Sequence, residues 1–175
     1  MNTKKVLVPL ATLLAAGAVA IGSGATFTSS TANTISSVTS GTLSHTNSKS
    51  NAAVFNLTNI KPGDVVNGSL TITNTGSLPA AFSLTETTST NQFADDALTL
   101  TITNTTSGTQ VYSGNFGGLV DGKKNALGTV EPGVVGNYTF SVRLADTADN
   151  TQQGKTASAA YSWDSTQLSA TTTNQ

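Results

Sequence analysis

His45 is the one histidine among 175 residues, and the chain has no cysteine. Those two counts remove most metal and nucleophile chemistry. A zinc site built from several imidazoles or thiolates, or from two histidines one helical turn apart, has no residues to use. A Ser–His–Asp triad would depend on His45, which stands in a run rich in Ser, Thr and Asn where nothing signals the required geometry. The acids are Asp64, Glu86, Asp95, Asp96, Asp121, Glu131, Asp146, Asp149 and Asp164. Only Asp95-Asp96 and Asp146-x-x-Asp149-Asn150 cluster locally. Either could offer carboxylates to a calcium ion, but neither has a loop spacing that pins ligands, and solvated loops are the plainer reading. No Gly-rich segment has the strand-to-helix setting of a phosphate loop. The residues therefore predict neither a catalytic site nor a resident metal or cofactor.

Charge narrows the classes further. Eight Lys and Arg face nine Asp and Glu, a formal net charge of −1, so no basic patch is available for nucleic acid. The chain holds 32 Thr, 20 Ser and 15 Asn. Thr suits strands, whereas Ser, Asn and Gly suit turns. With 37% apolar residues, enough remains to bury one core.

The first 25 residues read as a secretory leader. Lys4-Lys5 provides the positive start, residues 6–21 are uncharged and mostly apolar, and small residues follow from Gly22 to Ala25. Ser23 and Ala25 occupy the −3 and −1 positions of a small-residue cleavage site, with Thr26 as the new N-terminus. Pro9, Gly17 and the short apolar length argue against a retained spanning helix. Cleavage leaves six cations against nine acids. The polar tail 169–175 carries no anchoring signal, which predicts a product that is released or held by protein contacts.

The remainder reads in twos. Leu98-Thr-Leu-Thr-Ile-Thr103, Ser69–Thr73, Tyr138–Leu144 and Ala157–Asp164 alternate apolar and polar residues, the period of half-buried strands. Ala53–Leu57, Ala81–Thr85, Thr109–Ser113 and Thr26–Leu43 are less regular candidates. The turns between them fall at Lys61-Pro-Gly-Asp64, Ser107-Gly108, Gly117-Gly118, Asp121-Gly122 and Glu131-Pro-Gly133. Asn91–Ala97 is the one modest helix candidate, a turn of helix in a crossover. The prediction is an all-β, jelly-roll-like sandwich of about eight antiparallel strands over residues 49–168. Pro62-Gly63 before one strand is echoed by Pro132-Gly133 before another, which predicts two similar turn entrances within one sandwich. Tyr161 and Trp163 share a strand face and are expected to fill the core rather than to bind a ligand.

Four stretches together resemble the TasA/camelysin (CalY) family of secreted bacterial surface and matrix proteins. They are the leader ending Gly22-Ser-Gly-Ala-Thr-Phe27-Thr-Ser29; Asn33 … Ser40-Gly-Thr-Leu43; Asn59-Ile-Lys-Pro62-Gly63-Asp64 … Asn74-Thr-Gly76-Ser-Leu78; and Asn150-Thr-Gln-Gln153-Gly154-Lys155 … Tyr161-Ser-Trp163-Asp164-Ser-Thr-Gln167. The chain departs from the family pattern in having Ser29 or Ser30 where Asp is common, in lacking an acid in Thr42–His45, and in having Trp163 for Phe.

The resemblance implies export cut by a SipW-type signal peptidase and a jelly-roll domain that builds extracellular fibres in biofilm matrix. It further implies donor-strand complementation, in which the N-terminal strand of one subunit completes a sheet of the next. Partners would be copies of the chain itself, with an accessory anchor or matrix protein and matrix polysaccharide as further partners. Segment 26–48 fits such a donor: it has no acid, Lys or Arg, and Phe27, Ile35, Val38 and Leu43 are spaced among small polar residues. An uncharged strand can join an open sheet edge through backbone hydrogen bonds, and head-to-tail joining gives open filaments. The same strand could instead fold back into its own sheet and leave a monomer. Camelysin-like members are also classed as metallopeptidases, and a monomeric adhesin or carbohydrate-binding module is a third reading.

Overall fold

A computed structural model of the chain describes residues 40–55 and 60–172. The chain divides at Ser40/Gly41, and the unit Gly41–Gln175 carries the fold. Eight strands follow in order: β1 (His45–Asn47), β2 (Val65–Asn74), β3 (Ala80–Asn91), β4 (Leu98–Asn104), β5 (Thr109–Asn115), β6 (Lys124–Val130), β7 (Val135–Leu144) and β8 (Ala157–Gln167). The only helical element among the described residues is a 3-10 turn, Asn150–Gln152. No described helix is long and apolar enough to cross a membrane.

Alternation in the sequence becomes alternation in burial. On β4, Leu98, Leu100 and Ile102 are buried while Thr99, Thr101 and Thr103 lie half-exposed between them. On β7, Tyr138, Phe140, Val142 and Leu144 point inward. Successive strand residues face opposite ways, so period two sorts one set into the core and the other to solvent.

The strands form two antiparallel sheets, ordered β1-β2-β7-β4-β5 and β6-β3-β8. Ala80, Phe82 and Leu84 of the smaller sheet share one hydrophobic cluster with Leu70, Ile102 and Phe140 of the larger. The molecule is therefore an all-β sandwich. Its strand order has a further meaning. An eight-stranded jelly roll, two interleaved Greek keys, has sheets ordered 1-8-3-6 and 2-7-4-5. The order β2-β7-β4-β5 fills the second of these, and β6-β3-β8 fills three places of the first. The place beside β8, which belongs to a first strand, is taken by no described strand. β1 pairs instead with the end of β2, His45 opposite Asn74 and Asn47 opposite Ile72.

The Pro-Gly echo is a matched pair of caps. In each turn the fourth residue donates to the carbonyl of the first: Asp64 to Lys61 at 3.0 Å and Val134 to Glu131 at 3.1 Å. Gly63 and Gly133 both hold positive φ, 88° and 76°, a region open to glycine and costly for other residues. Because β2 and β7 pair antiparallel, the turns sit at opposite ends of one ladder and clamp it alike. The Gly63 N–H donates to Leu144 O at 3.0 Å, and the Gly133 N–H donates to Asn74 O at 2.8 Å.

Two local expectations change, and one strand, β6, has no counterpart in the sequence pattern. Asn91–Ala97 is not helical: Asn91 Oδ1 accepts from Phe93 N, a single bond runs from Ala97 N to Ala94 O, and Asp96 at φ 62° leaves helical space. Residues 53–55 form no strand, and the remainder of Ala53–Leu57 lies outside the described residues. β6 has no clean alternation, because a bulge at its pairing with Phe82 and Ser83 shifts its register.

Candidate functional site

The smaller sheet ends at β8, whose outer edge carries no described partner. Beside it lies a groove of about 500 Å³ between the two sheets. Its apolar side is made by Leu70 of β2, Phe55, and Tyr161 and Trp163 of β8, and its polar rim by His45 and Lys49. The aromatic side chains are anchored from within: the Trp163 ring lies 4.6 Å from Tyr138, Tyr161 lies 5.2 Å from Phe140, and Phe55 lies 6.1 Å from Phe116. Tyr161 and Trp163 thus contribute to the core and to the groove wall together. Extended backbone beside an open strand edge, with pockets for alternate side chains, is the chemistry such a groove supports.

The segment entering the domain is fixed close by. The Ser77 N–H donates to Thr42 O, and the Thr75 and Gly76 N–H groups both donate to Ser44 O, each at 3.0 Å. Gly76 has no room for a side chain, since a Cβ there would stand 2.5 Å from Thr42 O. The last part of segment 26–48, His45–Asn47, is committed to β2 of its own chain, while Leu43 beside it stays 43% exposed. Phe27, Ile35 and Val38, and the cleavage residues Ser23, Ala25 and Thr26, lie outside the described residues.

The residues that carry the family resemblance are spread over the corners of the sandwich and do not converge. Pro62, Gly63 and Asp64 form the first Pro-Gly turn. The Lys61 N–H and ammonium, both at 3.0 Å from Asp64, hold its carboxyl below the ordinary range, the backbone bond having the larger effect. Asn74 is fully buried and ties three segments together: its amide donates to Leu78 O at 2.9 Å and Val130 O at 2.8 Å, and its oxygen accepts from Gly76 N at 3.0 Å. Asn150 and Gln153 lie in the 3-10 turn and its cap, and Gln153 and Gly154 line a second cavity with Ile60, Phe93 and Leu144. Asp164 faces Lys124 at 3.7 Å, and Gln167 ends β8 opposite Ala80. These positions specify turns, caps and ladder ends.

The acidic clusters are partly brought together. Asp95, Asp96 and Asp149 line one shallow cleft, but Asp149 Oδ1 already accepts from Thr151, and Asp146 turns away to Arg143. The Thr151 hydroxyl and N–H hold the Asp149 carboxyl below its ordinary range.

One functional-group residue stands outside every sequence-based candidate. Glu86 of β3 is fully buried, and neither carboxylate oxygen meets a hydrogen-bond partner among the described residues. Burial pushes its pKa up; the Tyr161 hydroxyl offsets this in part, and the Asp121 charge adds to it. The signal was available. Ala80, Phe82, Leu84 and Glu86 share parity, so extending the strand beyond Thr85 places Glu86 inward.

The sequence model of one family, described as camelysin metallo-endopeptidase, matches residues 3–96, more than half of the chain. The chain belongs to the camelysin family. The match runs from residue 3 through β3 and stops before β4, so the motifs from Asn150 to Gln167 lie outside it. No curated protein matches the chain.

The metallo-endopeptidase description implies a metal, and the residues do not fit one. No group of three or more His, Cys, Asp or Glu among the described residues is placed to hold an ion. The sole histidine, His45, has Nδ1 2.9 Å from Ser165 Oγ and its ring edge-on to Phe82 at 5.6 Å, so it bridges the two sheets. A hydrolytic metal needs three or four such ligands with an open position.

Proposed function

We propose that this camelysin-family chain is an exported, non-catalytic structural subunit of extracellular biofilm-matrix fibres, joined head to tail by its N-terminal segment. One observation carries the reading: the jelly-roll place beside β8 has no described strand, and a groove with aromatic walls runs along it. The uncharged residues 26–40, with Phe27, Ile35 and Val38, are the chain's own candidate for that place. Supplied from a neighbouring copy, they extend the smaller sheet by backbone pairing and propagate a filament. β1 acts as the tether in this scheme, because its pairing to β2 fixes where the segment before it joins the domain.

Export by a SipW-type signal peptidase cutting between Ala25 and Thr26 releases that arm in this scheme, and N-terminal sequencing of the secreted product checks it. An accessory anchor protein or matrix polysaccharide would hold the fibre at the cell surface. The decisive experiment compares the mature chain with a variant lacking 26–40 but keeping β1. Negative-stain microscopy is expected to show filaments for the first and monomers for the second, and a peptide spanning 26–40 should bind the truncated domain one to one. Assembly of the truncated chain at the wild-type rate rules the scheme out.

The family's description favours a second reading, a surface metallopeptidase. Chelator-sensitive hydrolysis of casein by the purified mature chain would establish it. Binding of matrix polysaccharide by a species that stays monomeric would instead mark an adhesin or carbohydrate-binding module.

A further inference from the structure

Glu86 is an unusual residue to find buried in a sandwich this poor in charge. Its side chain is fully buried, and both oxygens lack hydrogen bonds among the described residues. A buried carboxylate without partners is among the costliest groups a core can hold, and the usual response is to stay neutral. Its position is specific as well. Glu86 pairs in register with Tyr161 of β8, and the β3–β8 ladder slips immediately afterwards, between Glu86 and Thr88. The Tyr161 hydroxyl is itself buried and without a hydrogen bond among the described residues.

The groups that act on Glu86 come from each neighbouring element. β8 offers the Tyr161 hydroxyl, β3 itself offers Ser89, and the loop between β5 and β6 offers the Asp121 carboxylate. From β5 comes Tyr112, whose hydroxyl is already donated to Asn115 O at 2.7 Å. No cation is among them. Lys124, the nearest charged residue of β6 in the ladder, pairs with Thr85 in register and turns its ammonium to Asp164. Ionisation of Glu86 would thus place a negative charge in the core beside a second carboxylate, with only hydroxyls to solvate it.

We propose that Glu86 is a buried proton switch that sets how firmly β8 is held on the sandwich: neutral, it fits the closed packing at Tyr161; ionised, it loosens that strand. β8 is the element that responds because it is an edge strand, held by β3 on one side only among the described residues, whereas β7 is held on both. The inference stands independently of fibre formation.

The sign follows from burial. A carboxyl whose folded-state pKa is raised contributes stability fully below its unfolded value, near 4.5 here, and loses it as pH rises towards the folded value. Between those two values the opening equilibrium grows about tenfold per pH unit.

The test uses the full mature chain and its Glu86→Gln variant. Hydrogen exchange of β8 amides, corrected for intrinsic rate, and fluorescence of Trp163, the only tryptophan, are followed from acid to neutral pH. For the wild type, opening of β8 relative to β7 is expected to rise by about tenfold per pH unit from 4.5 up to the folded-state value and then level off, with the Trp163 emission moving to the red. Glu86→Gln should hold both readouts flat. Equal pH dependence in the two proteins, or β8 opening only in step with β7, overturns the proposal. If the variant does not fold, a carboxyl-carbon NMR titration of the wild type decides: a Glu86 midpoint at or below 4.5 overturns it, and one above supports it.

Discussion

β7 and β8 are written in nearly the same language and end in different circumstances. Both alternate small polar residues with apolar ones, and both carry two aromatic residues two positions apart: Tyr138 and Phe140 on β7, Tyr161 and Trp163 on β8. On β7 every second residue from Tyr138 to Leu144 is buried, whereas no residue of β8 is fully buried. The difference lies in the neighbours. β7 runs between β2 and β4 at the middle of the five-stranded sheet, and β8 has β3 alone among the described strands. A pattern of twos states which side chains face the same way, and the number of flanking strands decides how much water is removed from them.

The comparison can be broken most directly in the core. Phe140→Ala should cost about 3–5 kcal/mol in urea unfolding, the range for a fully buried aromatic. Trp163→Ala should cost clearly less despite the larger ring, because the groove already leaves it partly wet. Equal losses would show that β8 is as buried in solution as β7. Next in size are the turns that feed β7. Gly133→Ala forces a Cβ into positive φ and strains the N–H bond to Asn74, so about 1–2 kcal/mol is expected, and Gly63→Ala should cost at least as much, because its Cβ would also stand 2.7 Å from Asp146 Oδ1 while one at Gly133 meets nothing within 4 Å. A smaller loss at Gly63 than at Gly133 would break the match between the two caps.

A smaller effect appears in acid. Asp64 closes the turn that accepts the end of β7, and its pKa is lowered by the Lys61 N–H. A carboxyl lowered on folding contributes stability above its unfolded value, near 3.8, and loses it as pH falls through the folded value. The thermal midpoint should therefore fall more steeply below that pH in the wild type than in Asp64→Asn. The smallest change belongs to the rim of β8. Lys124 and Asp164 are well exposed and 3.7 Å apart, so Lys124→Ala should alter stability by about 0–1 kcal/mol and mainly at low salt.

Much of this was legible in the chain. The core of β4 and β7 follows from Leu98, Leu100, Ile102, Phe140 and Val142 standing at every second position, since a strand has only two faces. The two Pro-Gly turns announce themselves because Pro fixes φ and Gly accepts the positive value that follows. What escaped has an equally physical cause. Asn91–Ala97 has a composition that tolerates helix, but side-chain bonds from Asn91 and Asn115 capture its backbone N–H groups first. β6 was hidden because a bulge erases period two. Glu86 was hidden because a strand is expected to end where a charge begins, and only the pairing of β8 alongside β3 brings Tyr161 next to it.

Residue order alone settled the strand faces, the turn chemistry, the lack of a histidine or cysteine ligand set and the uncharged character of the N-terminal arm, because each depends on identity and on spacing between near neighbours. Tertiary structure decided the rest: that β1 joins the end of β2, that Asn74 knots three segments, and that one glutamate loses its water. Those outcomes depend on which strands lie side by side across the sandwich, and hydrogen-bond pairing and desolvation between distant segments are written in no local stretch of sequence.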